Sequence, residues 1–397
     1  MAESSADAME RNARLYPWYA ALFNAFFWMP VFFLYFGKHL PLSQVLQLEA
    51  IYYVCVVVLE VPSGYVSDRF GRKRTLVASA IAMVAAYVTF LVGSSFAVFG
   101  LAQVLLASGI ALNSGTDTSF HYDSLAEVER EAEYAEREAA VARSALLATA
   151  LAGLVGGAIA LLDLRLAYGL SALVAVANLV VVALFREPKH SFKNKAAHFH
   201  NQVANCLKHL KRPQLAWLFG FAVLAVVVNH VPYEFYQPYL ELLGASFGLD
   251  QHTSLATGVH MAAATLLGAW VAGHSARIAD KIGTHKTLLL AACIQLAIVL
   301  SMAAFLHIVV VAIILLRGVP GGLYKAPLKA AVTPRIPRRE RATYLSIQSL
   351  AGRLAFAALL AGLSLAAGTA EPDNWPVLSH MLTLSAVVVG AGLIALG

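Results

Sequence analysis

Gly64–Leu76 reads GYVSDRFGRKRTL, and Ala276–Leu288 reads ARIADKIGTHKTL. Asp, Gly and the closing Thr-Leu stand in register in the two strings, with Asp68 and Asp280 separated by 280 − 68 = 212 positions, close to half of the 397-residue chain. Each string lies between long apolar runs, so each reads as a polar turn joining two membrane-spanning helices. A duplication of this kind is the parallel repeat of a transporter in which two helical bundles rock around a site near the bilayer midplane.

The composition agrees. Hydrophobic residues make up 59% of the chain and charged residues 13%, whereas a soluble domain carries roughly 25% charged residues. So few charges cannot cover a water-facing surface of this size, and runs such as Leu76 to Ala107 and Leu288 to Leu316 have the length of membrane spans. The formal net charge of +6 therefore speaks to membrane topology and not to a nucleic-acid partner. Cys55, Cys206 and Cys293 have no CxxC spacing, which indicates neither a disulfide framework nor a zinc site. The first fifteen residues lack the apolar core of a secretory signal, so the first span is expected to stay in the mature protein.

Charge clusters and Gly/Pro punctuation divide the chain into twelve spans, near 16–37, 43–66, 73–93, 96–122, 139–162, 165–185, 213–242, 252–279, 284–305, 308–330, 341–367 and 375–397. Alternate loops hold Arg69, Arg72, Lys73 and Arg74, then Arg186 to Arg212, Arg277 to Lys286, and Arg335 to Arg341, while the opposite loops hold little beyond Lys38 and Arg165. That asymmetry places both termini in the cytoplasm. The acidic stretch Ala126–Arg143 reads as a solvated helical extension with Glu133 and Arg137 paired four residues apart. Three parts result: a six-helix bundle over 1–188, a basic linker over 189–212 along the inner membrane face, and a second six-helix bundle over 213–397. The linker histidines His190, His198, His200 and His209 match no ligand spacing, and neither a metal nor a cofactor is expected.

The pattern G-x-x-x-D-R-x-G-R-K/R is supplied by Gly64, Asp68, Arg69, Gly71, Arg72 and Lys73. A tight turn needs glycine, an Asp is stabilised near a helix N-terminus, and an Arg beside it can reach a further carboxylate, for which Asp123 in HYDSL is the natural partner. The string resembles the signature loop of the major facilitator superfamily. That resemblance implies an all-α fold of two six-helix bundles around a central cavity. It also implies that Gly64, Asp68, Gly71, Arg72 and Asp123 latch the inner face of the outward-open state against span eleven. Asp280 stands in the second copy, where Thr284 and His285 replace Arg and Lys and weaken the latch. EVPSG (60–64), NSGTDTSFHYDSL (113–125) and RATYLSIQSLAGR (341–353) further resemble a bacterial drug- and metabolite-exporting, proton-antiporting branch, which implies the bacterial inner membrane. The Gly-rich span five of such antiporters often contains proline; here ATALAGLVGG (148–157) has none, though its small residues still allow close helix packing.

Ionisable residues inside spans are functional candidates by default. Asn113, Asp117 and His121 recur every four residues and form one helical stripe, a proton relay unless Asp117 only bonds Ser or Thr neighbours in packing. Glu60, just before Pro62, shares that role or bonds backbone freed by the proline. His230 and Glu234 in span seven, with Tyr233 and Tyr236 beside them, can bind protons or a cationic cargo group, or serve as structural hydrogen-bonders. Arg317 and Lys325 in span ten and Arg353 in span eleven make the C-terminal half cationic, either by pairing with Glu234 and its neighbours or by meeting an anionic cargo. Asn24, Trp28 and Tyr35 offer an amide and aromatic face for cargo, or simple packing. The expectation is therefore a monomeric membrane transporter exporting a small amphipathic or partly charged molecule against protons. Proton-coupled uptake of an organic anion is the alternative, and a non-transporting receptor or enzyme finds no support in motifs such as HExxH or GxSxG.

Overall fold

In the computed structural model, residues 5–189, 199–337, 340–371 and 374–396 are described, and they fold into helices without a strand. In chain order these are α1 (Ser5–Phe23), α2 (Phe32–Gly37), α3 (Leu42–Phe70), α4 (Arg72–Val92), α5 (Phe96–Asn113), α6 (Thr116–Ala126), α7 (Tyr134–Ile159) and α8 (Leu164–Leu184). After the linker follow α9 (Phe199–Lys208), α10 (Pro213–Ser246), α11 (Thr253–Ala272), α12 (Ser275–Ile282), α13 (Thr284–Ala304), α14 (Ile308–Ile314), α15 (Gly318–Val332), α16 (Arg341–Ala367) and α17 (Trp375–Leu396). Among the described residues, eleven helical stretches are long and apolar enough to cross a membrane. Their outward faces are apolar: Leu365 is 85% exposed, Ile394 82% and Leu162 81%. Such faces are stable against lipid tails and would be costly in water.

The remaining expected span, near 16–37, is split. Between α1 and α2 the backbone turns through short three-residue contacts, including Met29 N–H to the Phe26 carbonyl and Val31 N–H to that of Trp28. Pro30 causes this, because it lacks a donor and disfavours a helical Met29. In a bilayer the freed backbone groups need partners. Thr149 donates its hydroxyl to the Asn24 carbonyl at 3.0 Å, and Trp28 N–H donates to the Ser171 hydroxyl at 3.2 Å. Gly156 of α7 admits the Phe27 carbonyl so closely that a Cβ there would lie 2.0 Å from its oxygen. The small residues of span five thus accommodate the break in span one.

Span four also divides, at Gly115 with φ +74°, and span ten passes through a 3-10 turn at Leu315–Arg317. Packing groups the chain into two units, Met1–Phe32 with Ile51–Asn194, and Phe33–Ala50 with Lys195–Gly397. Helix α3 therefore contributes residues 42–50 to the second unit and 51–70 to the first.

In the first unit the N-terminal half of α1 is fastened by buried Asn12. It donates to the Arg186 carbonyl at 2.8 Å and the Ser124 hydroxyl at 3.2 Å and accepts from Arg186 N–H at 2.9 Å. Glu133 bonds Arg130 at 2.7 Å and Arg137 at 2.8 Å, the latter being the expected pair four residues apart. In the second unit the linker's His209 pairs with Glu340 at 2.7 Å. His190 and His198 lie outside the described residues, as does the side chain of His200.

Candidate functional site

The signature turn joins α3 to α4 in the first unit. Arg72 bonds Asp68 at 2.7 Å, the Ser67 hydroxyl at 3.0 Å and, through Nε, Asp123 at 3.4 Å. A residue that the sequence did not single out completes the cluster. Glu187 accepts from the backbone N–H groups of Arg72 at 2.6 Å and Lys73 at 2.9 Å, so a carboxylate caps the positive end of α4. Gly64 lies within α3, with open space where a Cβ would stand.

The duplicated string has a duplicated backbone. Gly71 has φ +103° and ψ 152°, and Gly283, between α12 and α13, has φ +88° and ψ 146°. Thr75 donates its hydroxyl to the Gly71 carbonyl at 2.8 Å, and Thr287 repeats the bond to Gly283 at 2.9 Å. The charges are not repeated: Asp280 is exposed and makes no ion pair among the described residues, and His285 packs on Trp217 with ring centroids 4.6 Å apart. A Cβ at Gly71 would lie 2.8 Å from Glu187 Oε2, while at Gly283 it would meet nothing within 4 Å. Both alanine variants bear backbone strain of ~1–3 kcal/mol. Gly71→Ala alone also displaces Glu187, so it is expected to lower the thermal midpoint in detergent further than Gly283→Ala.

Above this turn, Asn113, Asp117 and Tyr19 form a hydrogen-bonded chain. Tyr19 donates its hydroxyl to Asn113 Oδ1, Asn113 Nδ2 donates to Asp117 Oδ2 at 3.3 Å, and Thr118 N–H donates to Asp117 Oδ1 at 2.7 Å. Asp117 sits in the first turn of α6, just after the break at Gly115. The hydrogen-bonded chain does not continue to His121 among the described residues. Its ring is 1% exposed, stacks on Tyr16 at 4.1 Å and bonds Glu138 of α7 through Nδ1 at 2.6 Å. Asp117 and His121 stand one turn apart on α6, and the imidazole bonds Glu138 of the neighbouring α7 instead of the carboxylate. Glu60 accepts from the Ser114 hydroxyl at 3.4 Å, beside that break.

Asn24, Trp28 and Tyr35 do not share a helix face. Asn24 donates back to the Ala20 carbonyl at 2.8 Å, and Trp28 donates through Nε1 to the Tyr87 hydroxyl at 3.2 Å and stacks on Tyr168. Tyr35, on α2, belongs to the second unit and packs edge-on against His39. Asn24 and Trp28 lie in the irregular stretch between α1 and α2, and Tyr35 stands beyond Pro30 on α2.

In the second unit Arg317 does not pair with Glu234. The guanidinium is 7% exposed, lies 4.0 Å from the Tyr236 ring centroid and donates through Nη1 to His260 Nδ1. An arginine can only donate, so the His260 proton is on Nε2, which donates to the Val311 carbonyl at 3.1 Å. Tyr236 stacks on His260 at 5.6 Å, giving a buried cation held by a neutral ring and one π face. His260, alone in the apolar run TGVHMAAA (257–264), was the sequence signal for this cluster. Arg317→Lys keeps the charge but removes the planar stack. It is expected to lose ~0.5–2 kcal/mol of stability, read as a lower midpoint in detergent, with no change at exposed Lys325.

His230 bonds the Val226 carbonyl at 2.7 Å and lies within electrostatic reach of Lys325 of α15 and Arg353 of α16. Lys325 is exposed and makes no ion pair among the described residues. Gly321, one turn before it, leaves open the space between Lys325 and Asn229. A Cβ there would be 3.4 Å from Asn229 Nδ2 and 3.9 Å from Lys325 Cε. Asn229 Oδ1 is buried without a hydrogen-bond partner among the described residues. Tyr233, half-buried, stands beside His230 with centroids 6.4 Å apart.

The family model for the Major Facilitator Superfamily matches residues 18–360. No curated protein matches the chain. Among solved structures it is similar to a mutant form of the nucleoside transporter NupG, with TM-score 0.78 and 10% identity over 97% of this chain and 99% of that one. It is also similar to a bacterial homolog of the human lysosomal transporter Spinster, with TM-score 0.72 and 14% identity over 100% and 96%. A D-xylose-proton symporter aligns with TM-score 0.63 and 13% identity over 96% and 97%. At these identities the likeness concerns the fold alone.

Proposed function

The chain belongs to the major facilitator superfamily and is a multi-pass membrane transporter, not an enzyme, and on that premise we propose that it moves a small organic molecule carrying an anionic group, coupled to protons. The observation that carries this reading is Lys325, exposed on α15, free of ion pairs among the described residues and lying across the open space at Gly321 from Asn229. A cation kept within a span at a cost of several kcal/mol needs a counterpart, and a cargo carboxylate or phosphate supplies one. Asp117 is the proton-binding group, since its chain to Asn113 and Tyr19 holds a carboxylate at a helix break within the membrane. Proton and anion entering together offset each other's charge, which favours symport.

A second reading has its own observation. Half-exposed Glu60 beside Ser114 can take a cationic cargo, which would then leave in exchange for protons, as the exporting branch does. In either case the Asp68–Arg72–Asp123 cluster acts as the cytoplasmic latch, both termini lie in the cytoplasm of a bacterial inner membrane, and one chain suffices. The test is the purified protein in liposomes under an imposed pH gradient, with anionic, neutral and cationic solutes. Anion accumulation on the alkaline side supports the proposal. Movement of cations toward the acidic side, with anions unmoved, overturns it in favour of export.

A further inference from the structure

Arg317 is 7% exposed and has no counter-ion among the described residues. Its Nη1 donates to His260, while Nε and Nη2 make no hydrogen bond among the described residues. Helices α10, α11, α13, α14 and α15 pack around the 3-10 turn that ends on Arg317, and the carboxylates they carry are Glu234 and Glu241, both on α10. Neither forms an ion pair with Arg317, and both oxygens of Glu234 lack a hydrogen-bond partner among the described residues. A buried charge left in that condition is costly, which points to a partner that comes from outside the chain.

One side of the guanidinium is already fixed. Gly318 lets α15 approach α11 so closely that a Cβ there would lie 2.2 Å from the Ala264 carbonyl oxygen, and Gly322 meets Gly268 one turn further on. That contact sets Arg317 beside His260, which the Val311 carbonyl orients, and over the ring of Tyr236. A guanidinium held on one side presents Nε and Nη2 as a pre-aligned pair of donors in a single plane. Such a pair matches the two oxygens of a carboxylate. A phosphate would leave its third oxygen without a donor.

Lys325 stands about two turns further along span ten, about 12 Å away along the helix axis, in the same unit and also without an ion pair among the described residues. Two unpaired cations on one span call for two negative charges. We propose that Arg317 is a second anion subsite, binding a carboxylate through Nε and Nη2, and that the cargo is a dicarboxylate whose other acidic group meets Lys325. The dicarboxylate assignment rests on the reading of Lys325 in the preceding section, whereas the carboxylate subsite at Arg317 stands without it.

The test is equilibrium binding to full-length protein in detergent, with hexanoate as the one-charge probe and adipate and suberate as two-charge probes. The better diacid is expected to bind about 10–150-fold more tightly than hexanoate, the return on one further charged hydrogen bond. Arg317→Gln should close that gap while hexanoate stays bound. Arg317→Lys keeps a cation in the cluster and should fold, but without the planar donor pair it should narrow the gap. A wild type that binds neither diacid more tightly than hexanoate overturns the proposal. So does a folded Arg317→Lys protein that keeps the whole wild-type gap. If Lys325→Gln leaves the diacid preference intact while Arg317→Gln removes it, the anion-reading role of Lys325 fails and the Arg317 subsite stands. If Lys325→Gln weakens hexanoate and the wild type shows no diacid preference, the Lys325 reading stands and the Arg317 subsite fails.

Discussion

Asp117→Asn is expected to leave the protein folded and able to bind cargo while abolishing accumulation driven by a pH gradient. Asparagine has the shape of a protonated aspartate. Its amide oxygen can still accept from Thr118 N–H, the 2.7 Å bond of the wild type, and the side chain still reaches Asn113. What is lost is the exchangeable proton. Each pH unit of gradient corresponds to about a tenfold concentration ratio for one coupled proton. Under a gradient of two units, a ratio of about 100 should collapse to equality, and the remaining exchange should become insensitive to pH. Substitution at His121 or Glu138 belongs to a different class. The imidazole meets Glu138, not Asp117, so His121→Ala should change the rate profile with pH without uncoupling the gradient. Gradient-driven accumulation at wild-type level by the Asp117→Asn protein would remove Asp117 from the mechanism.

Neutralising the cationic cluster is expected to act on recognition. A hydrogen bond to a charged group contributes about 1.5–3 kcal/mol, so Lys325→Gln should weaken an anionic cargo by about 10–150-fold and spare a neutral analogue. Since Lys325 is exposed and without an ion pair among the described residues, its removal should not lower folding yield. Arg353→Gln is expected to weaken the same cargo, and the two effects should be non-additive because both groups act on one site beside His230. Equal losses for anionic and neutral solutes would mean that the cluster does not read charge. Equilibrium binding to detergent-solubilised protein separates this from coupling, since the Asp117 variant should bind normally.

Much of the architecture is visible in the order of residues. Span positions follow from runs of apolar residues, because a bilayer imposes the same length on every helix that crosses it. The two signature strings carry their glycines and threonines in register, and the structure gives them matching backbone turns at Gly71 and Gly283 with matching Thr75 and Thr287 bonds. Arg72 and Asp123 were also readable as a pair, since a motif fixes one and a neighbouring span end supplies the other. The split in span one had a signal in Pro30 that its apolar surroundings masked.

The partners of the buried charges were not legible in this way. Glu138 sits in an acidic stretch that reads as uniformly solvated, yet it meets His121 across 17 positions. Glu187 stands at the end of the first expected bundle with no local sign of a role, and it caps α4 from 115 positions away. Arg317 reads as a partner for Glu234, but it turns to His260 and Tyr236. Hydropathy and motif are local properties that the chain alone determines: the membrane fold, the duplication and the turns. Which faces meet depends on helix breaks at Pro30 and Gly115 and on how neighbouring helices pack. A rotation of one residue about a helix moves a side chain by about 100°, so only the tertiary structure decided which charge found which partner.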